Sequence, residues 1–166
     1  MSEHEPNRGA SDEWYTPPEI FEALGCRFDL DVASPGAGHW VPADRVYTAA
    51  DDGLAQPWHG FVWMNPPFGG RRGQVPWLRK LIAHGDGIGL VAARTSADWF
   101  HECAPRFDAM LFPLGKTKFI RPDGSRGEQP GTGIVLLGIG TRAVEALRRS
   151  NLGIFVDLQT AKESVA

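Results

Sequence analysis

Cysteine is scarce in this 166-residue chain, and the two present, Cys26 and Cys103, stand far apart. Neither belongs to a CxxC or CxxH spacing, which argues against a disulfide framework or a zinc site and fits a reducing cytosol. His4, His84 and His101 have no ligand partner at useful spacing, so no metal is implied. There is no charged-then-apolar leader and no long apolar stretch, so secretion and membrane insertion are not expected. No internal repeat is visible. With 42% hydrophobic and 22% charged residues, the composition is that of one globular domain with a sizeable core.

Glycine and proline, in contrast, are plentiful at 20 and 13 residues, which predicts a loop-rich domain that works through its loops. The polar stretch 1–11 reads as a disordered leader and 161–166 as a short tail, leaving a single domain over 12–160. Strands are expected at Arg27 to Val32, Arg45 to Thr48, Phe61 to Met64, Ile88 to Ala92, Ala109 to Phe112 and Gly133 to Leu137. Helices are expected at Pro17 to Leu24, Val75 to His84, Ala97 to Cys103 and Arg142 to Ser150. Thr16 reads as the N-cap of the first, with Pro17 at N1 and Glu19 at N3. Strands alternating with helices predict an α/β fold with a mostly parallel twisted sheet, in which Gly133 to Leu137 forms an antiparallel edge strand.

The most informative residues are Asn65, Pro66, Pro67 and Phe68, which follow the apolar run Gly60 to Met64. A strand ending in a Pro-rich turn is the bland reading. The functional one is methylation of an amine whose lone pair is delocalised into a ring or amide. Two acceptors on the two N–H groups of such an amine would pull its lone pair out of plane and hold it in line with a methyl donor. The Asn65 amide oxygen and the Pro66 carbonyl are those acceptors, because proline keeps its C=O while losing its N–H. Phe68 offers a face on which a planar base can stack. By itself the quartet leaves open the exocyclic amines of adenine, cytosine or guanine and the glutamine side-chain amide.

The methyl donor expected here is S-adenosylmethionine, and the segment before Asn65 carries suitable parts. Asp31 ends a strand and precedes the small-residue loop Val32 to Gly38, where backbone can approach a ligand closely. Its carboxylate can face the cationic methionine end or a ribose hydroxyl. Asp51 and Asp52, beside Gly53, supply acids that can accept from the amine of the cofactor adenine. Trp77 and Trp99 read as core residues.

Together these segments resemble the phage-type DNA N-6-adenine methyltransferase family. The resemblance rests on Asp12 to Glu19, Phe28 to Ser34, Asp51 to Leu54 through Trp58, and Trp63 to Phe68, covering about residues 12 to 100. It implies a Rossmann-like S-adenosylmethionine-dependent methyltransferase fold, shortened because only about a dozen residues separate Asp31 from Arg45. It further implies that Tyr15, Thr16 and Pro17 lie beside the methionine part of the cofactor, that Asp31 closes the first strand of the cofactor site with Ala33 and Ser34 also contacting the cofactor, and that Asp52, with Asp51, lies near the cofactor adenine. The expected substrate is a flipped-out adenine in DNA, in a cytoplasmic, DNA-associated enzyme of a bacterial or phage-infected cell.

Charge agrees with a polyanionic partner. Residues 1–52 carry a net −8, whereas 53–166 carry +5. Arg71, Arg72, Arg79 and Lys80 follow the quartet, and Lys116, Lys118, Arg121 and Arg126 lie in the stretch Leu114 to Gly131. They could neutralise phosphates around a flipped base, or be a solvated face. Specificity would come from the Leu114 to Gly131 loop, or a second subunit in a homodimer would complete the DNA grip. The rivals are a methyltransferase acting on an RNA base or a protein glutamine, and a non-catalytic nucleic-acid-binding relic of the fold.

Overall fold

A computed structural model describes residues 15–36, 38–67, 73–115, 117–127 and 133–163. Among the described residues, seven strands form one mixed sheet in the order β2-β1-β3-β4-β6-β5-β7. The strands are β1 (Phe28–Asp31), β2 (Ala43–Val46), β3 (Val62–Met64), β4 (Gly87–Ala92), β5 (Ala109–Pro113), β6 (Ile134–Ile139) and β7 (Gly153–Asp157). The helices are α1 (Pro18–Leu24), α2 (Val75–His84), α3 (Asp98–Cys103), α4 (Thr141–Arg149) and α5 (Leu158–Glu163). Strands β1 to β5 run one way, while β6 and β7 run against them.

Side-chain alternation along the strands builds two cores. On one face Trp63, Ile88, Leu90 and Leu136 pack with Phe21 and Leu24 of α1 and Val144 and Leu147 of α4. On the other, Val62, Met64, Val91, Val135 and Leu137 pack with Leu78 and Leu81 of α2 and Phe100 and Cys103 of α3. Helices on both faces explain why β4 is buried along its whole length and reads as an unbroken apolar run. Helix α2 closes at Gly85, which takes the left-handed conformation (φ 83°) and donates its N–H to the Leu81 carbonyl.

Two expectations are corrected. The stretch Gly133 to Leu137 is not an edge strand: β6 pairs antiparallel with β4 on one side and β5 on the other. Its buried, continuous apolar character is what an interior strand requires, and the antiparallel edge is β7. Thr16 does not cap α1. Pro17 precedes Pro18, so it is held extended (φ −64°, ψ 145°) and is itself the N-cap, which starts the helix one residue late. Helix α5 runs through 161–163, within the stretch assigned to the tail. No helix among the described residues is long and apolar enough to cross a membrane.

What matters for function is the order at β1. The chain leaves β1 to form β2 on one side and later returns to form β3 on the other, all three parallel. Such a reversal opens a crevice beyond the carboxyl ends of the strands, where ligands bind in open α/β sheets. Asp31 pairs with Trp63 in register, so Asp31 and Asn65 emerge at the same end.

Candidate active site

A cavity of about 480 Å³ fills this crevice. Three strand ends feed it. Beyond β1 come Asp31 to Pro35, beyond β2 come Thr48, Ala49, Asp52 and Gly53, and beyond β3 come Asn65, Pro66 and Pro67. Tyr15 and Thr16, from the segment before α1, line it too.

Asn65 is anchored across 49 residues of sequence, its Nδ2 donating to Thr16 Oγ1 at 3.0 Å. Thr16 is only 4% exposed and is itself fixed, because its carbonyl accepts from the Trp40 indole N–H at 2.7 Å. Tyr15 lies edge-on to Trp40. Its backbone N–H and C=O both pair with Ile120 at 2.9 Å. That pairing brings a late hairpin to the cavity rim: Phe119 is fully buried, Gly127 donates back to its carbonyl, and Ile120 bridges Arg126.

Asp31 is 1% exposed and accepts from the Ala33 N–H at 3.2 Å. Burial pushes its carboxyl up to about 7, and that one backbone bond only partly offsets the effect. No ion pair among the described residues includes it. Beyond Asp31 the loop is pinned by continued pairing with β2: Tyr47 N–H donates to the Asp31 carbonyl and Ser34 N–H to the Tyr47 carbonyl, each at 2.8 Å.

The Asp52 turn is held with equal care. Asp52 occupies the left-handed region (φ 57°), a conformation that costs a residue other than glycine roughly 1 kcal/mol or more. Gly53 follows because nothing larger fits: a Cβ there would lie 2.0 Å from the Val32 carbonyl oxygen. Three side chains brace the loop. Trp58 Nε1 donates to the Gly53 carbonyl at 2.7 Å, Lys80 Nζ donates to the carbonyls of Leu54 and Gln56, and Gln56 Nε2 donates to the Asp51 carbonyl. Trp77 lines the cavity beside Gly53 and stacks on Trp58 at 6.3 Å, with 27° between the rings. Asp51 turns away. Its carboxylate accepts from the N–H and hydroxyl of Thr48, bonds that hold it below the usual carboxylate range.

The DNA N-6-adenine-methyltransferase (Dam) family model matches residues 4–143. The chain belongs to this family. No curated protein and no solved structure matches it. The matched span contains every residue of the cavity lining and the hairpin beside Tyr15.

In this Dam-family chain, the sequence-selected residues do not all share one place. Tyr15, Thr16, Asp31, Ala33, Ser34, Asp52, Asn65, Pro66 and Pro67 meet around one cavity. Pro17 and Asp51 are not part of its lining. Phe68, Arg71, Arg72 and Lys116 lie outside the described residues. Among the basic residues, Lys118 and Arg121 are exposed on the hairpin beside the cavity, and Arg126 pairs with Glu19 of α1 at 2.5 Å. Arg79 and Lys80 have other duties. Arg79 bonds Glu102 through Nε and Nη2, and Lys80 braces the Asp52 loop and lies 5.0 Å over the Trp58 ring. Among the described residues, no group of three or more His, Cys, Asp or Glu is placed to hold a metal.

Sequence reasoning missed three aromatic contributors. Trp40 and His39 sit in the glycine-punctuated loop after β1, and Trp77, read as core, packs half-buried against the core around Leu78 and Leu81 and lines the cavity as well. A tryptophan among small residues was the available signal for Trp40. For Trp77 there was none, since its neighbour Leu78 on the same helix is buried in the core.

Proposed function

We propose that this chain transfers the methyl group of S-adenosylmethionine to the exocyclic N6 amine of adenine in DNA. The single observation that carries this reading is the convergence of Asn65 and Pro66 with Asp31 and Asp52 on one cavity at a strand-order reversal. The fold reading is finer than the mixed α/β sheet itself: a Rossmann-like methyltransferase fold, supported by the reversal at β1 and by β6 inserted antiparallel between β4 and β5.

The residues present suit the cofactor. A volume of about 480 Å³ lies within the roughly 300 to 1,000 Å³ of small-molecule sites. Asp31 offers a desolvated carboxylate suited to the cationic methionine end, Ala33 and Ser34 offer backbone, and Asp52 with Trp77 offers an acceptor and a flat face for the adenine. When bound, the cofactor would supply an electrophilic methyl group, its C–S bond breaking so that the sulfonium leaves as a neutral thioether. The chain's own task is to deliver the amine. The Asn65 amide oxygen and the Pro66 carbonyl accept the two N–H bonds, turning the nitrogen lone pair toward the methyl carbon while the product cation loses a proton to solvent. No strong base is needed, because the effect is one of orientation and electrostatics.

DNA would be gripped from the hairpin side, with the target adenine flipped into the cavity. The pairing of Tyr15, which lines the cavity, with Ile120 supports this, since Ile120 belongs to the hairpin that carries the exposed Lys118 and Arg121. Changing Lys116, Lys118 and Arg121 together to Ala is expected to lower DNA affinity and reduce the slope of log affinity against log salt by about one for each phosphate no longer neutralised. Cofactor affinity should not change. Fluorescence titrations of a labelled duplex at several salt concentrations read the slope, and an unaltered slope would mean that these side chains face solvent. The reading as a whole is tested by methyl transfer to DNA followed by nucleoside analysis.

A further inference from the structure

An asparagine amide has two unlike ends, and only its oxygen accepts a hydrogen bond. Turned over, the amide of Asn65 would present N–H donors to the N–H donors of the target amine. Its orientation therefore decides whether it helps or hinders. We infer that Thr16 is a positioning residue for Asn65, its hydroxyl holding the nitrogen end of the side-chain amide so that the amide oxygen is placed to serve the target amine; this rests on the methyltransferase reading above.

The geometry is specific. Thr16 Oγ1 accepts from Asn65 Nδ2 at 3.0 Å, so the hydroxyl's own proton points away from Asn65 and the nitrogen end of the amide is turned to Thr16. The hydroxyl cannot drift, because Thr16 is held on every side. Tyr15 is paired through both backbone groups with Ile120, the Thr16 carbonyl receives the Trp40 indole N–H, and two prolines with fixed φ follow. Thr16 is 4% exposed, so water competes little for either group. The hydroxyl that a sequence pattern assigns to capping α1 is instead spent on a side chain 49 residues away, and α1 has no side-chain cap.

A residue that only lines the cofactor cavity would alter cofactor affinity. A positioning residue alters turnover at saturating cofactor and DNA. Thr16→Val keeps the shape and removes the hydroxyl, and is expected to lower kcat by about tenfold to a hundredfold, the range for a misplaced reacting group. Thr16→Ser restores the hydroxyl and should stay within about threefold of the parent. With Asn65→Ala already present, Thr16→Val should change the residual turnover little, because the group it positions is gone. The Asn65 side-chain amide signals in a ¹H–¹⁵N spectrum, identified by their loss in Asn65→Ala, report the bond without any turnover: they should shift in Thr16→Val and return in Thr16→Ser. Parent-like kcat in Thr16→Val, equal losses in both backgrounds, or unmoved Asn65 amide signals would each overturn the positioning role. A parent protein that binds cofactor but methylates no DNA would instead overturn the reading on which it rests.

Discussion

Asn65→Ala is expected to lower methyl transfer by about a hundredfold or more while leaving the fold and cofactor binding close to the parent. The side chain sits just past the end of β3, outside both hydrophobic cores, and its amide bonds the Thr16 hydroxyl. Its removal therefore takes away an acceptor that acts mainly in the transition state, while the packing of both cores stays in place. Single-turnover rates with the cofactor pre-bound separate this effect from binding. Parent-like rates would remove Asn65 from the chemistry and leave the Pro66 carbonyl as the remaining acceptor proposed for the target amine.

A second substitution should move stability and binding in opposite directions. Asp31 is buried with its carboxyl raised to about 7 from an ordinary 3.8. As pH rises from near 4, the unfolded chain gives up this proton while the folded, ligand-free protein keeps it until about 7, so folded-state stability is lost across that window. At about 1.4 kcal/mol for each pH unit between those two values, the loss is on the order of 4 kcal/mol when complete. Asparagine does not titrate and can still accept from Ala33. Asp31→Asn should therefore gain stability relative to the parent as pH rises from 4 to 8, measured by urea unfolding of the ligand-free proteins. Binding should respond the other way. A cationic cofactor favours the ionised carboxylate, so parent affinity should rise about tenfold between pH 6 and 8, whereas the variant should bind weakly and with no such rise. A flat parent profile by calorimetric titration would mean that Asp31 does not face the positive end of the cofactor.

How far the sequence could be read depended on whether the signal was local. Helix α2 was legible to the residue because periodic Leu78 and Leu81 are followed by Gly85 in a left-handed cap. Strand β1 was legible from its alternation, and β3 and β4 as apolar runs with polar punctuation. Strand β7 was not, because Gly153 to Asp157 carries an exposed Ile154 and no clean alternation, and it exists through pairing with β5. The interior place of β6 is likewise a matter of partners, although its six-residue apolar run was the clue.

In the site, the same division holds. Asp31 and Asn65 were readable because one ends a strand and the other follows one directly, and sheet order then places them together. The Thr16–Asn65 bond, the Trp40 contact with Thr16 and the bracing of the Asp52 loop by Lys80 and Trp58 were not. Each depends on one side chain reaching a particular partner, and such bonds leave no periodic trace. Lys80 shows the consequence for charge-based reading: it belongs to a basic run, yet its ammonium serves two backbone carbonyls beside the cavity.

Transfer to adenine N6 is tested by incubating the protein with methyl-labelled S-adenosylmethionine and unmethylated DNA, then digesting the DNA to nucleosides and separating them. Label is expected in N6-methyldeoxyadenosine, with the amount falling by about a hundredfold or more for Asn65→Ala. Label confined to another base or to protein glutamine, or cofactor binding without any labelled nucleoside, would contradict it.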